Sequence, residues 1–107
     1  MYVRYKMYMR FTSDPEKKDR NPFKHPGVTF ELAEQVFEDP NHVIIENYFF
    51  EEEREQRFQV IGMTRRLILI AVVFVERIAD GEEVIHIISA RKATKYEEKI
   101  YRAATEA

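Results

Sequence analysis

The sequence predicts an α+β domain, with three helices packed on one face of a twisted antiparallel sheet of about five strands, in the order β-α-α-β-β-β-β-α. Three observations lead to this prediction. Apolar and polar residues alternate near the N-terminus, capping signals precede helix-like periodicity, and four strand-like segments follow one another with short connections. Short connections favour antiparallel neighbours, so the four consecutive strands should form a meander.

A single domain covering residues 1–107 is expected from length and composition. Of the 107 residues, 45% are hydrophobic and 34% are charged, a balance typical of one globular unit. The chain has no cysteine, so neither a disulfide framework nor a thiolate nucleophile is expected. Cations are scattered through the opening segment MYVRYKMYMRF, and the longest apolar run, Leu67 to Val75, is too short to span a bilayer. We therefore expect a cytoplasmic protein without a membrane partner.

The first predicted strand leads into the first predicted helix. In the segment VRYKMYMRFT, Tyr, Met and Phe alternate with cations, which is the period-2 pattern of a half-buried strand. Ser13 or Asp14 can then cap a helix whose first position is Pro15. Because Pro22 lacks a backbone donor, this helix should kink or end near Asn21.

A second helix is predicted after the turn KHPG. Thr29 can cap this helix, and the segment EDPN should stop it. Helical spacing predicts that one of its faces holds Phe30, Ala33, Val36 and Phe37.

Most of the second half of the chain is predicted to form sheet. Four segments have the composition of strands: HVIIENYFF, RFQVIGMT, RLILIAVVFVER and EVIHIISA. The run from Leu67 to Val75 does not alternate, so it should be the central strand, covered on both faces. Thr94 and Glu97 match a capping box for a last helix, which should end near Ala104.

Composition excludes several kinds of active site. With three glycines, a glycine-rich phosphate loop is not possible. The three histidines are far apart and no cysteine accompanies them, which argues against a zinc site. The acidic run EEERE lacks the spacing of a calcium loop, and neither serine lies in a GxSxG elbow. We therefore expect no metal and no cofactor, and chemistry carried by Lys, Arg, His, Glu and Tyr.

Charge is unevenly distributed, although the net charge is only −2. The segment from Glu31 to Glu55 contains nine acidic residues and one arginine, while three other segments are modestly basic. Such a chain can present a polyanion-binding face and a face for a basic partner. Ordinary solvated faces explain the same distribution equally well.

The residue types that are left suit metal-independent cleavage of RNA. Attack of a 2′-hydroxyl on the adjacent phosphorus needs a base, an acid and fixed cations around the phosphorane. The planar fork of arginine can hold two phosphate oxygens. The candidates for these roles are Lys24, His25, Glu55, Arg57, Arg77, Arg91, Lys92 and Tyr101.

The candidates also have structural explanations. His25 can simply end a helix, where the helix dipole favours it. Glu55 and Arg57 can form a solvent-facing pair of little energetic consequence. Arg91 can cap backbone carbonyls, and Tyr101 can lie at the edge of the core. The residues alone leave these alternatives open.

The junction SARK, between the last strand and the last helix, raises the question of whether it grips an anion. Helix N-termini favour anions because their first backbone N–H groups are free. Arg91 lies where the strand meets the capped helix. The sequence therefore predicts one phosphate cradle at this junction, with Arg57 and Arg77 pointing into it.

The segment IHIISARKATKYEEKIY closely resembles the C-terminal signature of the BrnT toxin family. Other family elements occur in the right order: DPEK followed by an asparagine and KH, then GVTFELAEQVFEDP, EQRFQVIGMT and LILIAVVFVER. The resemblance covers roughly Asp14 to Tyr101. The family turn usually reads Lys-His-Gly-Val, whereas this chain has Pro26 between His25 and Gly27.

The resemblance implies a RelE-like fold and a ribonuclease toxin of a type II toxin–antitoxin system that arrests growth by cutting RNA. It also implies a BrnA-like antitoxin protein, a toxin–antitoxin heterotetramer, and binding of operator DNA only through the antitoxin. Side-chain chemistry suggests that Arg57 and Arg91 would hold the phosphate, that His25 or Glu55 would move protons, and that Lys24 would neutralise charge. The site residues carried over by position are Lys24, His25, Glu55, Arg57, Arg77 and Arg91.

Three functions stay open at this point. The first is an active endoribonuclease toxin. The second is a catalytically inactive homologue that binds its antitoxin and takes part in operon repression. The third is a toxin of RelE or ParE shape that inhibits a protein target without cutting RNA.

Overall fold

Helices and strands follow one another in the predicted order. The computed structural model of the chain describes residues 9–50 and 55–106, with side chains left undescribed at 46–50. Most of the first predicted strand and most of the predicted acidic loop therefore lie outside the described residues. The elements are β1 (Arg10–Ser13), α1 (Pro15–Lys24), α2 (Phe30–Val36), β2 (Val43–Phe50), β3 (Glu55–Met63), β4 (Leu69–Ala79), β5 (Glu82–Lys92) and α3 (Lys95–Glu106).

The sheet is mixed, which corrects the prediction of a purely antiparallel sheet. Its strand order is β1-β5-β4-β3-β2, so β4 is central as predicted. Strands β2 to β5 form the predicted antiparallel meander. Strand β1 pairs with β5 in parallel, from Arg10 opposite Val84 to Ser13 opposite Ile87. The argument from short connections fails for β1 because both α1 and α2 separate it from β2.

Helices cover both faces of the sheet, so the prediction that they pack on one face is wrong. Val36 of α2 lies in the core cluster that contains Val60. Tyr101 of α3 packs instead with Ile61. Successive residues of a strand point to opposite faces, and the two helices therefore lie on opposite sides of β3. Within the described residues, no helix is long and apolar enough to cross a membrane.

Helix α1 continues past Pro22, contrary to the prediction that it would kink or end near Asn21. Its N-terminus is as predicted: Asp14 accepts a hydrogen bond from the Glu16 backbone N–H at 2.9 Å, and Pro15 occupies the first turn. Pro22 lies in the last turn, so it removes only one late backbone hydrogen bond. The next turn still closes, because the His25 N–H donates to the Asn21 carbonyl at 2.8 Å.

Asn21 attaches α1 to the edge of β5, beyond the point where β1 ends. Its side-chain amide donates to the carbonyls of Ala90 at 2.9 Å and Val28 at 2.8 Å. Its carbonyl oxygen accepts from the Ala90 N–H at 3.3 Å. The side chain thus satisfies the backbone groups that a neighbouring strand would otherwise pair. This contact holds α1 alongside β5.

Both predicted threonine caps are confirmed. The Thr29 hydroxyl accepts from the Leu32 N–H at 3.1 Å at the start of α2. In the capping box of α3, the Thr94 hydroxyl accepts from the Glu97 N–H at 3.2 Å, and the Glu97 carboxylate accepts from the Thr94 N–H at 2.9 Å. The predicted apolar face of α2 is also confirmed, since Phe30, Ala33, Val36 and Phe37 are buried.

Candidate active site

An open depression lies on the sheet face that α3 partly covers. Helix α3 packs against β2 and β3 and leaves part of β4 and β5 accessible. The depression has a volume of about 440 Å³ and is bounded by β3, β4, β5 and the start of α1. Its lining residues are Asp14, Lys17, Glu55, Arg57, Arg77, His86 and Ile88.

Two further depressions continue the first along α1. The second shares Lys17 and Ile88 with the first, and Lys24 and His25 with the third. We call the three together the α1–β5 groove. The second and third have volumes of about 240 and 400 Å³. Besides the shared residues, their linings contain Arg20, Asn21, Pro26, Val28, Ser89, Arg91 and Lys92.

All six site residues predicted from the sequence line this groove. Helix α1 supplies a row of cations along it, because residues spaced three or four apart in a helix share a face. Within the described part of the chain, no three His, Asp or Glu side chains are grouped so that they could hold a metal ion. In the lining of the groove, cationic side chains outnumber carboxylates. The row contains Lys17, Arg20 and Lys24.

Glu55 and Arg77 form a two-pronged ion pair in the first depression. Nε and Nη2 of Arg77 each donate to one carboxylate oxygen of Glu55, both at 2.8 Å. These hydrogen bonds lower the pKa of Glu55, with burial opposing the shift. Glu55 is therefore an anion at neutral pH and a poor proton donor.

His86 is a groove residue that the sequence reasoning did not select. Its Nδ1 lies 2.8 Å from the Thr12 hydroxyl on β1. Burial lowers the pKa of His86, the positive charge of Arg77 lowers it further, and Glu55 opposes both. The ring is therefore neutral at pH 7. Charged side chains surround the His86 ring and can polarise it.

A β-bulge explains why regular alternation does not group His86 with Arg91. Ser89 lies opposite Val73 and Ile87 opposite Phe74, so Ile88 is an extra residue in β5. Without the bulge, residues 86 and 91 would point to opposite faces. With it, both face away from the core cluster that holds Ile87. The available signal was the position of His86 between two core isoleucines.

The SARK junction does bind an anion, but this anion is a carboxylate of the same chain. Arg91 donates through Nη1 and Nη2 to the two oxygens of Glu97 at 2.7 and 2.9 Å. The same carboxylate accepts from the Gln59 amide at 2.9 Å and from the Thr94 N–H. The hydrogen bonds from Arg91 are the largest cause of a Glu97 pKa of about 2. Glu97 therefore occupies the predicted phosphate cradle.

The predicted convergence of three arginines on that cradle is wrong. Arg91 lies opposite Ala71, whereas Arg77 lies opposite Val84 near the other end of the β4–β5 hairpin. Six residues along β4 correspond to roughly 20 Å. Arg57 and Arg77 line the first depression, and Arg91 lines the third. The hairpin register separates them.

The segment after α1 accommodates Pro26 in a regular turn. The Val28 N–H donates to the His25 carbonyl at 3.0 Å. Gly27 has a φ of 82°, a left-handed value that glycine adopts at no steric cost. Proline followed by glycine suits the two central positions of a type II turn. His25 thus opens a tight turn at the junction of the second and third depressions.

Tyr101 does not line the groove. Its hydroxyl donates to the Asp39 carboxylate at 2.7 Å, and the same oxygen accepts from the Met63 N–H at 2.8 Å. Burial raises the pKa of Tyr101 to about 12, and the bond to Asp39 adds to the shift. Tyr101 therefore anchors α3 to the loop after α2. This agrees with the structural explanation, in which Tyr101 lies at the edge of the core.

Comparison with known proteins decides the family. Residues 14–97 match the profile of a family described as the ribonuclease toxin BrnT of a type II toxin–antitoxin system. The chain belongs to the BrnT family. Its members are ribonuclease toxins of type II toxin–antitoxin systems, each paired with an antitoxin protein. The matched segment contains the whole α1–β5 groove.

A solved structure of the same family has a similar fold. The crystal structure of the Brucella abortus ribonuclease toxin BrnT is 27% identical in sequence. The similarity covers 81% of this chain and 99% of that one, with a TM-score of 0.58. No curated protein sequence matches the chain.

Proposed function

We propose that the α1–β5 groove is the active site of this ribonuclease toxin and that it cleaves RNA without a metal ion. The observation that carries the proposal is the first depression, where Arg57, Arg77 and Glu55 meet at one end of a groove lined by cations. A row of cations attracts the phosphate backbone regardless of base sequence. A strand of RNA in the groove would bring one phosphate to the two arginines.

Arg57 and Arg77 are placed to stabilise the phosphorane. Attack of the 2′-hydroxyl puts extra negative charge on the phosphate oxygens, and fixed cations favour that state over the ground state. Arg77 is held by Glu55, but their side chains are 43% and 32% exposed. Exposed ion pairs contribute at most about 1 kcal/mol, so a phosphate can compete for the guanidinium.

The other site residues have supporting roles in this proposal. Glu55 holds Arg77 in place through two hydrogen bonds. Lys24 and His25 bind phosphates further along the strand. Arg91 forms part of the wall of the third depression and fixes the start of α3 through Glu97.

The antitoxin is proposed to be BrnA-like and to carry a basic or amphipathic segment. Support comes from the acidic stretch at 51–55, of which residues 51–54 lie outside the described part of the chain. A basic segment steered by these charges would associate with an on-rate that falls steeply with salt. We further propose that toxin and antitoxin assemble as a heterotetramer, which contacts operator DNA only through the antitoxin. The proposal also includes a RelE-like shape and a cytoplasmic location.

The experiment that tests cleavage uses purified protein, an unstructured RNA oligonucleotide and excess EDTA. The expected products end in a 2′,3′-cyclic phosphate or a 3′-phosphate, and their partners begin with a 5′-hydroxyl. Arg57→Ala, purified identically, controls for contaminating nucleases and should lose about 10²- to 10³-fold in rate. Cleavage that stops with EDTA contradicts the mechanism. No cleavage by the wild type supports the binding-only homologue instead.

A further inference from the structure

His86 occupies a position in the first depression that the proposed roles leave unused. It lies on β5 opposite Thr12 of β1 and opposite Val75 of β4. The depression that it lines also contains Arg57 and Arg77. A phosphate held by the two arginines would therefore lie next to the imidazole.

We infer that His86 is the proton-transfer residue of the ribonuclease reaction, taking the proton of the attacking 2′-hydroxyl, with Thr12 as its positioning residue. The inference rests on the proposed function, since it assigns a role within the same groove. It follows from the placement of an imidazole, two guanidinium groups and a carboxylate in one open depression.

The contact with Thr12 bears on which nitrogen of His86 can accept the proton. Nδ1 of His86 lies 2.8 Å from the Thr12 hydroxyl. When Nδ1–H donates to that oxygen, Nε2 carries the lone pair and is the nitrogen available to a substrate. A hydrogen bond at one ring nitrogen fixes the tautomer and orientation of the other. In that tautomer, Thr12 holds the ring with Nε2 free to act as a base.

The surroundings of His86 also favour the neutral form that a base requires. Burial, Arg77 and Lys17 lower its pKa, while Glu55 and Asp14 raise it. The charged groups around the ring come from the N-cap and first turn of α1, from β3 and from β4, and they are Asp14, Lys17, Glu55, Arg57 and Arg77. Glu55 is less suited to the same task, because Arg77 occupies both of its carboxylate oxygens.

The reaction step balances without any further reactant. Nε2 of neutral His86 removes the proton from the 2′-hydroxyl as the 2′-oxygen bonds to phosphorus. The bond from phosphorus to the 5′-oxygen then breaks, and that oxygen receives a proton from the imidazolium or from water. The products are a 2′,3′-cyclic phosphate and a 5′-hydroxyl.

The test compares His86→Gln with His42→Gln in single-turnover cleavage of an unstructured RNA oligonucleotide in EDTA. His42 is the matched control because its Nδ1 bonds to the Asp39 carbonyl outside the groove. We expect His86→Gln to lose about 10²- to 10⁴-fold in rate, the usual contribution of a general base. Binding of a 2′-deoxy analogue should change by less than about threefold, because the base acts in the transition state.

The pH–rate profile distinguishes a base from a structural residue. The wild-type rate should fall as pH decreases through the pKa of His86, below about 6.5, and His86→Gln should lack this acidic limb. Thr12→Val should keep the limb but lose about tenfold in rate, since Val removes the oxygen that orients the ring. This second variant retains the imidazole, so it tests the inference even if His86→Gln fails to fold.

Four outcomes separate the possibilities. A wild type that cleaves nothing contradicts the proposed function and the role of His86 with it. An active wild type with an equally active His86→Gln contradicts only the role of His86. A slow His86→Gln that keeps the acidic limb, or a Thr12→Val indistinguishable from wild type, also overturns the inference.

Discussion

Two arginine–glutamate pairs, with hydrogen bonds of nearly the same length, lie at opposite ends of the β4–β5 hairpin. Arg77 holds Glu55 through two hydrogen bonds of 2.8 Å, and Arg91 holds Glu97 through bonds of 2.7 and 2.9 Å. Their surroundings differ. The Glu55 side chain is 32% exposed in an open depression, whereas the Glu97 side chain is 9% exposed.

The difference shows that the hydrogen-bond lengths of an arginine–glutamate pair do not by themselves tell a binding site from a structural contact. Glu97 also accepts hydrogen bonds from Gln59 and the Thr94 backbone, so its carboxylate is satisfied from several sides. An external phosphate would have to displace the Glu97 carboxylate from all of these donors. Glu55 binds a single arginine where solvent also reaches it, and a phosphate can replace Glu55 there at a small cost in free energy. We therefore assign substrate binding to the Arg77 end and stability to the Arg91 end.

The largest expected effect is on catalysis at the Arg77 end. Arg77→Ala should lower the single-turnover cleavage rate by about 10²- to 10³-fold, because it removes one of two cations facing the phosphorane. The unfolding free energy measured in urea should change by less than about 1 kcal/mol, since the pair is exposed.

Arg65→Ala is the control for this variant. Arg65 makes a similar two-pronged pair with Glu38 outside the groove. Arg65→Ala should change the cleavage rate by no more than a small factor and should leave the unfolding free energy almost unchanged. An Arg77→Ala protein that cleaves at the wild-type rate contradicts the assignment of this end.

The next effect is on stability at the Arg91 end. Arg91→Leu should lower the unfolding free energy by about 2–4 kcal/mol, because it leaves the Glu97 carboxylate buried without its main partner. Replacing both residues by leucine should recover part of this loss, since no buried charge then remains. Urea unfolding of the single and double variants measures both quantities.

The same variant tests the phosphate role that the sequence suggested for Arg91. Cleavage should be measured at a temperature where the variant is folded. A stable Arg91→Leu protein that has lost cleavage would support a direct contact with RNA. It would contradict the division between the two ends.

A smaller effect is expected from pH. The pKa of Glu97 is lowered from 4.5 to about 2, so its contribution to stability is fully present above pH 4.5. This contribution, about 2–3 kcal/mol, should disappear as pH falls from 4.5 towards 2, because the unfolded chain then binds a proton more readily than the folded one. Glu97→Gln should be less stable at pH 7 and lose less stability over that range. Parallel unfolding curves across the range would contradict the shift.

Local patterns predicted the elements well because their causes are local. The caps at Thr29 and Thr94 and the apolar face of α2 depend on neighbours within one or two helical turns. The parallel pairing of β1 could not be read from spacing, since it depends on which edge of β5 is left free. The placement of α1 alongside β5 likewise depends on a distant contact, the bond from Asn21 to the Ala90 carbonyl.

The sequence predicted which residues form the site, but it did not predict how they are arranged. All six expected residues line one groove, yet Arg91 is separated from Arg57 and Arg77 by the hairpin register. Sequence could not indicate that Glu97 would fill the anion position, because a capping box does not require an arginine beside it. His86 was missed although it lies between two core isoleucines, because the bulge at Ile88, which brings Arg91 to the same face, leaves no mark in the pattern.

The smallest effect concerns the capping box at the Arg91 end. Thr94→Ala removes the hydroxyl that accepts from the Glu97 N–H at 3.2 Å, but it keeps the Thr94 N–H that donates to the Glu97 carboxylate. Because half of the box survives and Arg91 still holds Glu97, the loss should lie near the lower end of the usual range, about 0.5–1 kcal/mol of unfolding free energy.

Thr29→Ala is the matched comparison for this last prediction. The Thr29 hydroxyl accepts from the Leu32 N–H at 3.1 Å, and among the residues that the structure describes no carboxylate accepts from the Thr29 N–H. Its removal should therefore cost more than that of Thr94, up to about 2 kcal/mol. Urea unfolding of the two variants measures the difference directly. A larger loss for Thr94→Ala would mean that the hydroxyl, rather than the arginine–glutamate pair, holds the start of α3, and the stabilising role of Arg91 would then have to be abandoned.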